Sequence, residues 1–239
     1  KTGRVTAALD DLNARLARHA QERGVGLADI YRMTLDLLNA DQYCIGGWRV
    51  YKRSSGDGDA DAMFLDDGFH PNMPVQALFA QTILDTFNAR YGTGIPRLTH
   101  REIVDKCLEE NPVFTFAQWT ANYGVPVASR GALGDADGDG LANIVEYGLD
   151  LDPVRSDAHL MPQARPVLVG GLPHLSLSWQ PRDPTNLTYC EITPQQSVDL
   201  NTWTDIPAAS VVSSSPNVKT VTVPAPAGQR VWLRLKIRQ

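Results

Sequence analysis

Two residues of the stretch DDGFHPN, residues 66 to 72, have the types and the spacing of an acid–base pair. Asp67 stands three positions before His70, so one short loop can direct a carboxylate at an imidazole ring. In serine hydrolases the imidazole takes the proton of a weakly nucleophilic serine, and the carboxylate fixes the tautomer of the ring. Ordinary surface turns also contain this spacing, so the pair alone does not decide between a catalytic and a structural role.

A second set of side chains fits the ligand pattern of a calcium-binding loop. The twelve residues DADGDGLANIVE, residues 135 to 146, match the EF-hand template at every position that the ion uses, with glycine at the sharp turn. The candidate ligands are Asp135, Asp137, Asp139, the backbone carbonyl of Leu141, Asn143 and Glu146. The alternative is a polar turn whose aspartates cap the following helix. The complete match favours a structural Ca²⁺ site.

Composition excludes several classes of partner. The chain of 239 residues has a formal net charge of -5 and no cluster of lysine and arginine. We therefore expect neither nucleic acid nor an anionic membrane surface as a main partner. No apolar run approaches the roughly 18 residues of a membrane span, so we expect no membrane span. The three cysteines are far apart and form no CxxC pair, so they do not define the redox compartment.

The elements that must position the histidine have the rhythm of an α/β domain. Apolar residues at helical spacing predict an amphipathic helix with one buried stripe over residues 4–22. The segment GVGLADIY, residues 24–31, predicts a short strand. A further helix follows the histidine, with Pro74 in its first turn. Helix, glycine turn and strand in this order indicate an α/β domain with a parallel sheet.

The pattern changes after residue 153, where apolar and polar residues alternate between turns rich in Pro, Asn and Ser. This alternation predicts a small antiparallel β-sandwich. Capping boxes at Thr99 and Thr115 predict two helices before it. The predicted domains are part of an α/β domain over residues 1–110, a helical connector with the calcium loop over 111–155, and a β-sandwich accessory module over 156–239.

The stretch FLDDGFHPNMPVQALFAQTILDTFNARYG resembles the C-terminal signature of the SGNH (GDSL-type) hydrolases, in which an Asp-x-x-His loop leads directly into a helix. The resemblance extends over roughly residues 1 to 105. It implies a portion of a flavodoxin-like three-layer fold, with His70 as general base and Asp67 as its orienting acid. Asp66 is adjacent to the pair but stands outside the family spacing.

The chain departs from this family in the other half of the triad. It contains neither the Gly-Asp-Ser motif of the nucleophile nor the glycine-bearing and Asn-bearing segments of the oxyanion hole. Ser54 and Ser55 precede the histidine, but we expect both in a loop without a strand or helix to hold them. We therefore expect the nucleophile in a missing N-terminal part of the hydrolase domain, and expect this chain alone to be inactive.

Two further resemblances point to a secreted bacterial protein. The stretch DADGDGLANIVEYGLDLDP resembles single calcium-binding connectors, and the Ser-x-Asp-Leu-x-x-Trp stretch that ends at Trp203 resembles C-terminal β-modules of such proteins. Extracellular calcium suits loops of this kind, so we expect a secreted or cell-surface protein. The implied function is that of a secreted serine esterase whose substrate is a carboxylic or carbohydrate-linked ester. The alternative is a noncatalytic, calcium-stabilised surface or adhesion module on a hydrolase-like scaffold.

Overall fold

The chain forms a mixed α/β structure with two compact units. A computed structural model describes residues 2–40, 42–55, 59–107, 114–182, 189–215 and 217–239. The first unit comprises Lys1–Tyr43 and Val50–Leu98, and the second comprises Cys44–Arg49 and Thr99–Gln239. Residue 110, at which one domain boundary was predicted, lies outside the described residues. No helix in the described ranges is both long enough and apolar enough to cross a membrane.

The first unit combines helices with a small sheet. Its helices are α1 (Thr2–Arg23), α2 (Ile30–Asn39) and α3 (Met73–Tyr91), and its sheet is formed by β1 (Gln42–Ile45), β2 (Trp48–Ser55) and β3 (Ala62–Leu65). The strands lie in the order β1-β2-β3, and β2 and β3 run parallel. The residues between β1 and β2, together with the adjoining strand ends, cluster with the second unit.

The strand predicted over residues 24–31 is wrong. Residues 25–29 are irregular, and α2 begins at Ile30. The side chain of Asp29 accepts a hydrogen bond from the backbone N–H of Arg32 at 2.8 Å, which caps the helix. This local cap overrides the apolar character of the segment.

The helix predicted over residues 4–22 forms as α1, but its apolar stripe is not buried. Val5, Leu9, Leu12 and Leu16 are between 44% and 60% exposed. The core of the first unit lies elsewhere. Its buried apolar residues include Leu37, Val50, Ala62, Met63, Val75 and Leu78. The prediction of the helix from its periodicity is thus correct, and the prediction that its apolar stripe is buried is wrong.

Asn72 fixes the start of α3 directly after the histidine turn. Its side chain accepts the backbone N–H of Met73 at 2.8 Å and donates to the carbonyls of Asp59 at 2.9 Å and Ala62 at 3.3 Å. Pro74 stands in the first turn of the helix, as predicted. Asn72 therefore connects the start of α3 to the start of β3.

The second unit contains short helices and two antiparallel sheets. The helices are α4 (His100–Cys107), α5 (Phe116–Asn122) and α6 (Asn143–Leu149), and both predicted capping boxes are present. The strands are β4 (Arg165–Val169), β5 (Leu172–Trp179), β6 (Glu191–Ser197), β7 (Thr204–Asp205), β8 (Val211–Ser215), β9 (Val218–Pro224) and β10 (Trp232–Arg238). Their orders are β10-β6-β7 and β4-β5-β9-β8, with every described pair antiparallel.

Two apolar clusters hold the second unit together. The sheet cluster contains side chains of both sheets and of the end of α6, among them Leu149, Leu151, Leu177, Trp179, Val221, Val223 and the partly buried Leu233 and Leu235. The aromatic cluster joins α5 to α6 through Phe116, Trp119, Tyr123, Ile144 and Tyr147. Residues of α6 belong to both clusters, so this short helix packs on two sides.

A buried aspartate and two partly buried basic side chains lie at the end of α6. Asp150 has a left-handed backbone with φ 59°, and its backbone N–H donates a hydrogen bond to the Glu146 carbonyl. Its carboxylate lies 3.4 Å from His100 Nδ1 and 3.7 Å from Arg182 Nη1. Burial opposes the ionisation of Asp150, but His100 and Arg182 outweigh it and lower the pKa of this carboxyl. The three side chains therefore form a charged group within the second unit.

The turn before the acidic loop leaves no room for a side chain at Gly134. A Cβ there would lie 2.0 Å from the carbonyl oxygen of Ser129 and 2.9 Å from Asn143 Nδ2, whereas a Cβ at Gly131 meets nothing within 4 Å. We expect Gly134→Ala to lower the free energy of unfolding by about 1–3 kcal/mol or more. Gly131→Ala, the matched control, should change it by less than about 0.5 kcal/mol. Urea unfolding followed by tryptophan fluorescence measures both, and equal stabilities would contradict the packing described.

Candidate functional site

Hydrogen bonds between carboxylates and backbone shape the acidic loop. Both oxygens of Asp135 accept such bonds, from the N–H of Gly138 at 2.8 Å and of Gly140 at 3.1 Å. The two glycines have φ of 77° and 92°, which residues with a side chain rarely adopt. Gly140, at the sixth position of the loop, thus has the conformation that the calcium-loop template requires.

Three aspartates of this loop form an acidic group that could hold a metal ion. One oxygen atom from each of Asp135, Asp137 and Asp139 lies within 4.8 Å of the others. Asp137 Oδ2 is buried and has no hydrogen-bond partner. Burial first, and then the neighbouring aspartates, raise the pKa of Asp137. A cation bound between the three carboxylates would remove their mutual repulsion.

Glu146 adds a buried carboxylate to the site. Its side chain is 1% exposed, and neither of its oxygens has a hydrogen-bond partner. Burial, together with the charges of Asp137, Asp157 and Asp139, raises the pKa of Glu146 to about 9. Because a buried ionised carboxylate without a partner is costly, the arrangement requires a proton on Glu146 or a cation beside it. The residues present therefore fit a bound metal ion.

Asp157 belongs to the same site, although the sequence analysis did not identify it. One oxygen atom from each of Asp139, Glu146 and Asp157 lies within 4.8 Å of the others. Asp139 Oδ2 also accepts the backbone N–H groups of Asp157 and Ala158, both at 2.9 Å. Asp157 stands outside the twelve-residue template, and an aspartate in a polar turn is too common to be a signal by itself.

Asn143 and Leu141, the two remaining predicted ligands, connect the loop to its surroundings. Asn143 is buried, and its amide nitrogen donates to the carbonyls of Ser129 at 2.6 Å and Gly131 at 2.9 Å. Its Oδ1 is buried without a hydrogen-bond partner. The backbone N–H of Leu141 donates to Asp139 at 2.9 Å, and its side chain packs against the sheet cluster. The amide nitrogen of Asn143 thus anchors the preceding turn.

The histidine turn brings the predicted acid–base pair into direct contact. Asp67 Oδ2 is hydrogen-bonded to His70 Nδ1, and Asp67 Oδ1 accepts the backbone N–H groups of Phe69 and His70, both at 2.9 Å. The bond to the imidazole, followed by the two backbone bonds, lowers the pKa of Asp67 to about 2. The backbone N–H of Leu65 donates to the His70 carbonyl at 2.9 Å, which ties the turn to the end of β3.

The acid–base pair is open to solvent. The His70 side chain is 66% exposed, and the ring of Phe69 meets it edge-on with centroids 5.3 Å apart. The expectation that Ser54 and Ser55 lie in a loop is wrong, because both residues end strand β2. A Cβ at Gly68 would meet Ser54 Oγ at 3.2 Å, so this hydroxyl lies beside the histidine turn.

Removal of the imidazole should release the Asp67 carboxyl. In His70→Ala we expect the pKa of Asp67 to rise from about 2 toward the ordinary value of 3.8, because the bond to the ring is the largest cause of the lowering. The pKa of Asp67 is lower in the folded state than in the unfolded state. The bond therefore stabilises the fold at pH values above 3.8, and this stabilisation is lost as the pH falls through about 2. An NMR titration of the Asp67 Cγ resonance measures the shift.

The control for this titration is His174→Ala, which removes a ring that bonds the Leu172 carbonyl. It should leave the pKa of Asp67 where it was. A pKa of Asp67 that does not respond to the loss of His70 would show that the two backbone N–H groups alone account for the lowering.

The two candidate sites are thus an exposed acid–base pair in the first unit and a partly buried acidic group in the second. Comparisons of the chain with models of protein families, with curated proteins and with solved structures found no match. The chemistry of the side chains, together with the sequence resemblances, is therefore what supports a proposal on function.

Proposed function

We propose that residues 1–239 form the C-terminal part of a secreted serine esterase of SGNH (GDSL) type, which hydrolyses carboxylic or carbohydrate-linked esters. The observation that supports this most directly is the hydrogen bond between Asp67 and His70 in a turn that leads from β3 into α3. A turn that holds this pair and leads directly into a helix is the context of the family signature. The three-layer arrangement of the hydrolase domain and the sandwich arrangement of the two antiparallel sheets belong to the same proposal.

In this proposal His70 is the general base. Asp67 holds Nδ1 of the ring, which leaves Nε2 to take the proton of a hydroxyl nucleophile. Two backbone N–H groups hold the Asp67 carboxylate in its ionised form, and that charge stabilises the imidazolium when it forms. The serine comes from a Gly-Asp-Ser motif outside residues 1–239, because the motif does not occur within them.

Esterase assays test the catalytic pair. The full polypeptide that contains these residues should hydrolyse a short-chain aryl ester, and residues 1–239 alone should not exceed background. In the full polypeptide His70→Ala should lower kcat by roughly 10⁴-fold or more, and Asp67→Asn by about the same factor or less, because the amide cannot stabilise the imidazolium.

Asp66→Asn is the matched control, since it removes a neighbouring carboxylate outside the pair, and it should retain most of the activity. The esterase proposal would be refuted if His70→Ala kept its esterase activity. It would also be refuted if the full polypeptide hydrolysed no ester of any acyl length. Turnover by residues 1–239 alone that disappears in Ser54→Ala would instead identify Ser54, beside the histidine turn, as the nucleophile.

We further propose that the acidic group of the second unit binds one structural Ca²⁺. The support is Glu146, whose two buried oxygens lack hydrogen-bond partners next to other carboxylates. The candidate ligands of this site are all oxygen atoms, which hard cations prefer. Ca²⁺ accepts a larger and more flexible set of protein oxygens than Mg²⁺ does. Such loops suit the millimolar calcium outside cells, which supports a secreted or cell-surface location.

Calcium should change which of two proteins is the more stable, the parent chain or Glu146→Gln. In a chelator this variant should be at least as stable as the parent chain, because it replaces a buried carboxyl group that must take up a proton with an amide that is always neutral. In Ca²⁺ at 100-fold above Kd the parent chain gains about 2.7 kcal/mol, and the variant, which lacks one ligand charge, gains less. Thermal unfolding in chelator and in calcium measures the ranking.

The control for this measurement is Glu191→Gln, which alters an exposed glutamate of β6 and should leave the response to calcium unchanged. Calorimetric titration gives Kd and stoichiometry directly. No binding of Ca²⁺ below about 10 mM, roughly ten times the weak end of the extracellular range, would leave the polar-turn interpretation in its place.

A second candidate function is a noncatalytic, calcium-stabilised surface or adhesion module. The observation that favours it is the contrast between the sites, since the acidic group of the second unit is assembled from the chain's own residues and the acid–base pair is exposed and without its serine motif. In that case the histidine turn is a structural element only. The esterase assays on the full polypeptide separate the two functions.

A further inference from the structure

We propose that Asp157 is a direct ligand of the metal ion in the second unit, so that two separate segments hold the ion. One segment is the acidic loop of residues 135–146, and the other is the turn that follows Pro153. This inference rests on the proposed Ca²⁺ site and adds a ligand that lies outside the twelve-residue template.

The observation that demands a further ligand is the surroundings of Glu146. Both of its oxygens are buried without a hydrogen-bond partner, and Glu146, Asp139 and Asp157 each place one carboxylate oxygen within 4.8 Å of the others. Two of these three residues, Glu146 and Asp157, are buried. Their mutual repulsion in a medium of low polarity is relieved when a cation binds among them. Asp157 therefore adds a carboxylate from outside the loop to the place where the buried charge must be balanced.

Hydrogen bonds set the position of Asp157 from two directions. Its backbone N–H donates to Asp139 Oδ2 at 2.9 Å, and its Oδ2 accepts the backbone N–H of Asp152 at 2.9 Å. These bonds explain why the turn lies against the loop. They do not require a negative charge at position 157, because asparagine could make both of them. A negative charge at position 157, beside Glu146, has a role if the Asp157 carboxylate gives its charge and one oxygen atom to a bound cation.

Asp157 also connects the ion to the packing of the sheets. It precedes a short 3₁₀ helix, Ala158–Leu160, and the side chains of Leu160 and Met161 pack against the sheet cluster. Leu149, the last residue of α6, and Leu151 belong to the same cluster. Binding of the ion by Asp157 would therefore join two parts of the chain that both pack on the β-sheets.

The variant Asp157→Asn tests the charge at this position without removing the acceptor for the Asp152 N–H. Calorimetric titration of the 239-residue chain with Ca²⁺ should give one site, and the substitution should raise Kd at least tenfold. The control is Asp199→Asn in the same unit, where an exposed carboxylate accepts backbone N–H groups at 2.8 and 2.7 Å and belongs to neither acidic group. This control should keep Kd within about twofold of the parent value.

A second measurement uses the parent chain and does not depend on the folding of a variant. The ¹³C resonance of the Asp157 carboxyl carbon should shift on addition of one equivalent of Ca²⁺, and that of Asp199 should not. Calcium binding with an unshifted Asp157 resonance, or with the same Kd in Asp157→Asn, would overturn this inference and leave the Ca²⁺ site of the loop intact. Absence of calcium binding by the parent chain would refute the site itself and this inference with it.

Discussion

The buried carboxylate of Glu146 is the constraint on which the arrangement of the second unit depends. A carboxylate that is removed from water and accepts no hydrogen bond must be neutralised by a proton or a cation. Around this charge lie the acidic loop, the turn that carries Asp157 and the short helix α6. A helix of seven residues is not stable by itself, so its position is set by these surroundings. Ile144 and Tyr147 pack into the aromatic cluster, and Leu149 packs into the sheet cluster.

The two candidate sites place charge in opposite environments. In the histidine turn, Asp67 is exposed, and its pKa is lowered by a bond to an imidazole three residues away and by two backbone N–H groups. In the acidic group, Glu146 is buried, and its pKa is raised because water is excluded and like charges are close. The first arrangement favours an ionised carboxylate that can support proton transfer, and the second favours a carboxylate that accepts a cation.

What the sequence predicted well depends on interactions between near neighbours. The capping boxes at Thr99 and Thr115, the glycine turn of the acidic loop and the contact of Asp67 with His70 all join residues a few positions apart. Their geometry follows from residue type and spacing, so a pattern can identify them. The antiparallel sheets were predictable for a related reason, because alternation of apolar and polar residues is a local signature of a strand with one buried face.

What the sequence did not predict depends on partners that are distant along the chain or on competition between local signals. The apolar stripe of α1 marks a helix but does not define a surface to cover it. Residues 24–31 were ambiguous because short apolar runs occur in both strands and irregular segments, and the cap at Asp29 decided the outcome. Asp157 meets Glu146 only because the chain turns back after α6, and no local pattern specifies that return.

The left-handed backbone of Asp150 has a consequence for protein engineering. Replacement of a residue with positive φ by glycine is a common way to relieve backbone strain, which costs roughly 1–3 kcal/mol at such positions. Leu200, with φ 64° and an exposed side chain, is open to that strategy. At Asp150 the same replacement would leave the partly buried His100 and Arg182 without their shared carboxylate. A ranking of sites by backbone angle alone would treat these two positions as equivalent, although only one of them is free to change.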